Sequence, residues 1–223
     1  MRINSKELVQ SYVFTTAKYD FSIYEKRILY RLVELCQALL EGQTLQGYSI
    51  QNSVFEDMKQ VIMPISAFLK DEKDENHTKV KSALRSLRNK TLEYENDKMW
   101  KLIGIIEIPK FFKKGYVQFE IHPEIYQAIL SFSKGFRKIE LKVAMSCESI
   151  YSMRFYELFS RQNKPITYKI DDLKIMFKIE GKYKNSADFI RSVVVKAKDE
   201  LDEKSPYSFT YKPHKTGKKI DRI

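Results

Sequence analysis

HTKVKSALRSLRNK, residues 77–90, reads as an apolar stripe wound into a basic helix. Val80, Leu84 and Leu87 recur at i, i+4 and i+7, which sets them on one face of an α-helix. The remaining surface carries Lys79, Lys81, Arg85 and Arg88, and no acidic residue occurs from His77 to Lys90. About a hundred residues later, NSADFIRSVVVKAKDEL (185–201) repeats the logic. There Phe189, Val193, Ala197 and Leu201 make the stripe and leave Asn185, Arg191, Ser192 and Lys198 open. Each segment is followed by a short strand and a basic hairpin. One such helix alone is compatible with an ordinary solvated surface. Two, with the same downstream hairpin, point to a chain that reads double-stranded DNA with two helices.

Composition supports that class. The 223 residues are 43% hydrophobic and 31% charged, enough for two small cores rather than one large one. The net charge of +11 and pI near 9.4 are the electrostatic footprint of a polyanion binder. Residues 1–135 hold 20 Lys+Arg against 17 Asp+Glu, whereas residues 136–223 hold 20 against 12. The second half is therefore expected to bind more tightly. Charge alone does not separate DNA from RNA, ribosomes or an anionic membrane surface.

Cys36 and Cys147 are the only cysteines, and both sit in apolar contexts. The sequence leaves a bond between them open; a reduced, cytosolic pair is the expectation. A zinc site needs about four close Cys/His ligands, and His77, His122 and His214 are scattered. No metal or cofactor is expected. No apolar run approaches the roughly 20 residues of a membrane span, and the N-terminus lacks a signal-peptide core. A cytoplasmic protein without membrane attachment is expected.

The element order reads as an α+β chain of two tandem winged helix-turn-helix domains, 1–134 and 135–223. A first helix is predicted from Ser22, capped with Glu25, to Leu40, burying Ile23, Ile28, Leu32, Leu35 and Leu39. Residues 42–53 read as a loop, and VIMPI (61–65) as a strand that Pro64 confines to an edge or end. Ser66 then caps a short helix before the basic one. TLEYEND and MWKLIGIIEIP follow as strands, and FFKKGYVQFEIHP as a hairpin around Lys113, Lys114 and Gly115. In the second half, a helix near Glu148 carries Ile150, Phe155, Leu158 and Phe159 inward. ITYKI (166–170) reads as a strand and DDLKIMFKI as a short helix. A basic turn at Lys215, Thr216 and Gly217 leads into a returning strand. Residues 131–136, with Gly135, form the expected hinge.

Three stretches carry a resemblance: NSKELVQSYVFTTAKYDFSIYEKRILYRLVE at the start, MRFYELFSRQNK with DDLKIMF, and SADFIRSVVVKAKDELDEKS with KTGKKI at the end. In this order they resemble the initiator Rep proteins of iteron-containing plasmids, over nearly the whole chain. The resemblance implies a tandem winged helix that binds directly repeated origin sequences to start plasmid replication. It further implies a monomer–dimer equilibrium, dimer contact through the N-terminal domain, autorepression, and host initiator and replicative helicase as partners. Arg191 matches a basic family position, and Gly217, Lys218 and Lys219 match the second wing. Ile190 departs from a position that is often basic, and Lys218 stands where members carry Arg, which weakens the case for a bidentate guanine contact there. The chain stops at Ile223, where relatives continue.

Arg85, Arg88 and Arg191 are the candidates for base edges, since arginine spans guanine O6 and N7. Asn185 suits adenine or a helix N-cap. Lys79, Lys81, Lys184, Lys198, Lys218 and Lys219 suit phosphates, which fix register without reading sequence. Lys113 and Lys114 suit a phosphate-touching wing or a soluble turn. Tyr151, Tyr156 and Tyr168 are assigned to the core. No catalytic site is expected: there is no phosphate-cradling G-x-x-x-x-G-K-[ST] loop. Nor is there a metal-binding histidine pair of the kind a nicking enzyme needs. The Asp171–Asp172 pair opens a helix and compensates its dipole. An autonomous transcription regulator and an RNA-associated basic protein remain as alternatives.

Overall fold

The computed structural model describes residues 7–11, 20–55, 57–71, 74–96, 99–130, 136–160, 162 and 164–223. The hinge expected at 131–136 lies, apart from Phe136, outside them. In chain order the first elements are β1 (Glu7–Ser11), α1 (Ile23–Leu40), β2 (Ser49–Asn52) and β3 (Lys59–Pro64). A 3₁₀ turn (Ile65–Phe68), α2 (His77–Arg88), β4 (Thr91–Asn96), β5 (Met99–Gly104), β6 (Glu107–Phe112), β7 (Tyr116–Ile121) and α3 (Pro123–Leu130) follow. Two compact units result: one lies essentially within Tyr24–Ser133, and the other joins Asn4–Ile23 to Lys134–Ile223. The chain passes from one unit to the other near 134. β1, which the sequence reading assigned to the first domain, pairs antiparallel with β8 (Phe136–Glu140) in the second unit.

In the first unit the sheet order is β2-β3-β7-β6, all antiparallel, so the strand before the basic helix lies beside the last strand of the hairpin after it. That crossing is the winged-helix arrangement. β4 and β5 form a separate ribbon inserted between α2 and the hairpin. Pro64 closes β3, where its missing N–H interrupts nothing. Three expectations change. Residues 49–52, read as loop, pair with β3 as a fourth strand. The short helix is 3₁₀ and begins at Ile65, with Pro64 rather than Ser66 at its cap. α1 is buried on nearly every side from Glu25 to Cys36, with Leu39 exposed and Ile23 half-buried. Burial of its charged side is sustained by pairing: Arg31 Nε donates to the Ala67 carbonyl at 2.8 Å and its Nη1 meets Glu34 at 2.8 Å. Glu25, the expected capping acid, pairs with Lys90 at 3.0 Å.

The second unit continues with α4 (Leu141–Ser146), α5 (Ile150–Phe159), α6 (Ile170–Met176), the helix α7 over 186–204, β9 (His214–Thr216) and β10 (Lys219–Arg222). The strand expected at 166–170 is reduced to one bridge, Lys169 to Arg222, with reciprocal backbone bonds between Tyr168 and Ile223 at 2.9 and 3.0 Å. Its place beside the last strand repeats the crossing of the first unit. Phe155 stacks with Phe159 and meets Phe177 and Phe209 edge-on or tilted, forming the aromatic core under α5. α7 consists of Ser186–Phe189, a π-type segment Ile190–Val195, and Lys196–Lys204. Phe189, Val193, Ala197 and Leu201 are all buried, the stripe its spacing predicts. Cys36 and Cys147 are buried and unbridged, and burial pushes the Cys36 thiol up to about 12. Among the described residues no helix is long and apolar enough to cross a membrane.

Candidate nucleic-acid interface

α2 buries Val80, Ala83, Leu84 and Leu87 and leaves Lys79, Lys81, Arg85 and Arg88 exposed. The exposed groups do not form a single row. Lys81, Arg85 and Arg88 follow i, i+4, i+7 and line a cleft of about 290 Å³ with Asn89, Pro109 and Lys110. Lys79 lies toward α1 instead, its Nζ 5.8 Å from the Tyr24 ring centroid. Arg88 is engaged by Glu107 of β6, with Nε 2.8 Å from Oε2. Lys110 was missed by sequence reasoning; its strand alternation gave no reason to place it against a helix.

Asp74 fixes the entry to α2. Its carboxylate accepts from the Lys70 N–H at 3.0 Å, the Asn76 N–H at 3.1 Å and the Tyr24 hydroxyl at 2.9 Å, with Arg27 3.6 Å away. Burial by itself would raise its pKa, but these donors hold it at about 2. The start of the scaffold helix and the start of the candidate reading helix thus meet on one charge.

In the second unit Glu200 of α7 performs a comparable task. It accepts from the backbone N–H of Glu148 and Ser149 at 2.6 and 3.1 Å and from the Ser152 hydroxyl at 2.6 Å. Those N–H groups open α5, so a side chain of the candidate reading helix satisfies the end of the scaffold helix. Burial opposes the charge, yet the hydrogen bonds and Lys204 at 3.0 Å hold its pKa below the usual carboxylate value.

Asn185 is the N-cap of α7: its Oδ1 accepts from the Asp188 N–H at 2.8 Å. Its Nδ2 donates to Asp188 Oδ2 at 2.8 Å, and Arg191 Nη2 meets the other oxygen of Asp188 at 2.8 Å. Arg191 is open, its side chain 78% exposed within the π-type segment. Ile190 is buried, which explains why no basic residue stands there. Lys198 is half-buried and pairs with Asp202 on its own helix. The exposed lysine of this stretch is Lys196, which sequence reasoning passed over because the wider π turn shifts the helical phase.

Both hairpin turns present lysines to solvent: Lys113 and Lys114 between β6 and β7, Lys218 and Lys219 after Thr216. Gly115 and Gly217 take φ of +94° and +63°, the left-handed turns that side chains resist. The first turn is anchored by the Ile65 N–H on the Gly115 carbonyl at 2.9 Å. β10 packs on the first turn of α7, and Lys184 is exposed just before that turn.

The family model described as initiator replication protein, WH1, matches residues 7–160, and that described as initiator Rep protein, WH2, matches residues 169–223. A solved structure of Pi initiator protein in complex with iteron DNA is similar over 100% of this chain and 96% of that one. Its TM-score is 0.70 at 17% identity, a likeness of fold. Two winged-helix units in the order the geometry gives, with both family models in the same order, make this chain a member of the initiator replication protein family.

Proposed function

We propose that this protein is a sequence-specific double-stranded DNA-binding initiator that recognises directly repeated origin sequences, with α2 and α7 as reading helices. The observation that carries the reading is the duplication itself. In each unit a helix with one buried stripe and bases on its open side is tied to its scaffold by a carboxylate and followed by a lysine-tipped hairpin. Arg85, Arg88 and Arg191 are assigned to base edges. Lys79, Lys81, Lys113, Lys114, Lys184, Lys198, Lys218 and Lys219 are assigned to phosphates. Asn185 serves as a cap, its oxygen and amide both committed to Asp188. The protein acts by binding rather than by covalent chemistry, in the cytoplasm where plasmid DNA lies. The similar fold of an initiator solved with iteron DNA supports this reading. Self-association through the N-terminal domain, repression of its own gene, and contact with a host initiator and helicase complete it.

A footprint over the DNA flanking the gene tests the proposal. Protection of tandem direct repeats beside an AT-rich stretch is expected. An inverted repeat alone would make the protein a transcription regulator, and absence of sequence preference would reduce it to a basic nucleic-acid-associated protein. Sedimentation at micromolar concentration should show reversible dimers, lost when the N-terminal domain is removed.

A further inference from the structure

We infer that Glu107 is a positioning residue that holds Arg88 as a base-reading fork, and that Gly104 is small in order to admit it. This rests on α2 being a DNA-reading helix, and it deepens that reading by naming what sets its specificity.

Arg88 ends α2 with its side chain half exposed, and Glu107 opens β6. The contact runs through Nε, at 2.8 Å from Glu107 Oε2. Engaging Nε leaves both terminal nitrogens of the guanidinium, the pair whose spacing fits guanine O6 and N7. Among the described residues Arg88 has no other ionic partner. A long, mobile side chain held at its neck loses less freedom on binding DNA.

The strand is built to deliver this acid. A Cβ at Gly104 would lie 2.2 Å from Glu107 Oε1 and 3.3 Å from its Cδ, so any side chain there displaces the carboxylate. Directly after Glu107 the ladder slips: Glu107 pairs with Glu120 but Lys110 pairs with Gln118, one residue too many on β6. The bulge holds Ile108 at φ +47°, a conformation that β-branched residues avoid, followed by Pro109. Strain of this kind beside a reading helix is retained where it aims a side chain. The same bulge brings Lys110 into the cleft with Lys81 and Arg85. An acid amid these bases repels phosphate, so its presence calls for a purpose other than affinity.

The test compares two duplexes: one enriched by the wild-type protein from a randomised pool, and a scrambled duplex of the same composition. Glu107→Ala is expected to lower the ratio of affinities about tenfold, the scale of one bidentate base contact, while binding to the scrambled duplex stays level or tightens. Glu107→Gln keeps an acceptor oxygen for Nε and should retain more of the ratio. Gly104→Ala should lower the ratio with no change of charge. In an Arg88→Ala background Glu107→Ala should add nothing. Tighter binding to both duplexes with the ratio intact would overturn the inference, leaving Glu107 as a brake on affinity. So would equal weakening on both with a lowered Tm, which marks a structural role. If Arg88→Ala leaves the ratio unchanged the inference also fails, while a footprint on direct repeats still decides the function independently.

Discussion

On the proposed assignment, substitutions at Arg191 and Lys219 should separate reading DNA from holding it. Arg191 is open, has a planar five-donor fork, and is steadied by Asp188. Arg191→Ala should cost roughly 1–3 kcal/mol on the specific duplex and much less on random DNA. Lys219, exposed on the second wing, offers a point charge. Lys219→Ala should weaken both duplexes alike and reduce the salt slope by about one unit, measured by binding curves at several salt concentrations. Asp74 makes a different kind of prediction, since its carboxylate is held by groups of the protein itself. Its folded pKa of about 2 lies below the ordinary aspartate value of about 3.9. A depressed pKa contributes stability above the unfolded value, and that stability is lost as pH falls from about 4 toward 2. Denaturant titrations should show the first unit weakening across that window, with the slope flattened in Asp74→Asn. At neutral pH Asp74→Ala should cost about 1.5–3 kcal/mol through loss of charge-assisted hydrogen bonds.

The two proposed reading helices differ more as elements than their sequences suggest. α2 is a regular helix whose open face is undisturbed by acids of its own, and Arg88 at its end pairs with an acid of a neighbouring strand. α7 widens to a π-type turn over Ile190–Val195, where an added residue in the turn shifts the exposed row from Lys198 toward Lys196. The buried side of that widened turn takes Ile190, Val193 and Val194. Ile190→Lys, which places there the basic residue that the resemblance implies, should therefore destabilise the second unit by about 2–4 kcal/mol by pressing a charge into an apolar site. A shift of thermal unfolding would register it; unchanged stability with tighter DNA binding would show Ile190 to be accessible after all. The stripe Phe189, Val193, Ala197 and Leu201 was legible because a buried helical face imposes its period on the chain. The π turn was not, because it changes hydrogen-bond partners without changing which residue types are apolar.

For the whole molecule, one chain carries two proposed reading helices, one after the other in sequence. A monomer should protect two major-groove segments about one helical turn, roughly 10–10.5 bp, apart. Hydroxyl-radical footprinting checks this, and protection of a single short groove segment would refute it. The excess charge of residues 136–223 leads to a further expectation, that the second unit supplies the steeper share of the salt dependence. Both family matches together span most of the chain, so these expectations concern the initiator body as a whole.

The sequence by itself determined what is local: the apolar stripes of α2 and α7, the glycine turns of both wings, the excess of bases, and the order of elements from which a tandem winged helix follows. Each is written in the spacing of neighbouring residues, where helix period and turn chemistry act directly. The tertiary structure alone decided which distant groups meet. β1 found β8 across an entire domain, β2 joined a sheet from a stretch that looked like loop, and α1 buried its charged side together with the apolar face its pattern showed. Asp74 and Glu200 became anchors, and Glu107 reached Arg88, only because strands and helices far apart in the chain were packed together. Side-chain pairing across such distances depends on register and close packing, which no short-range period encodes.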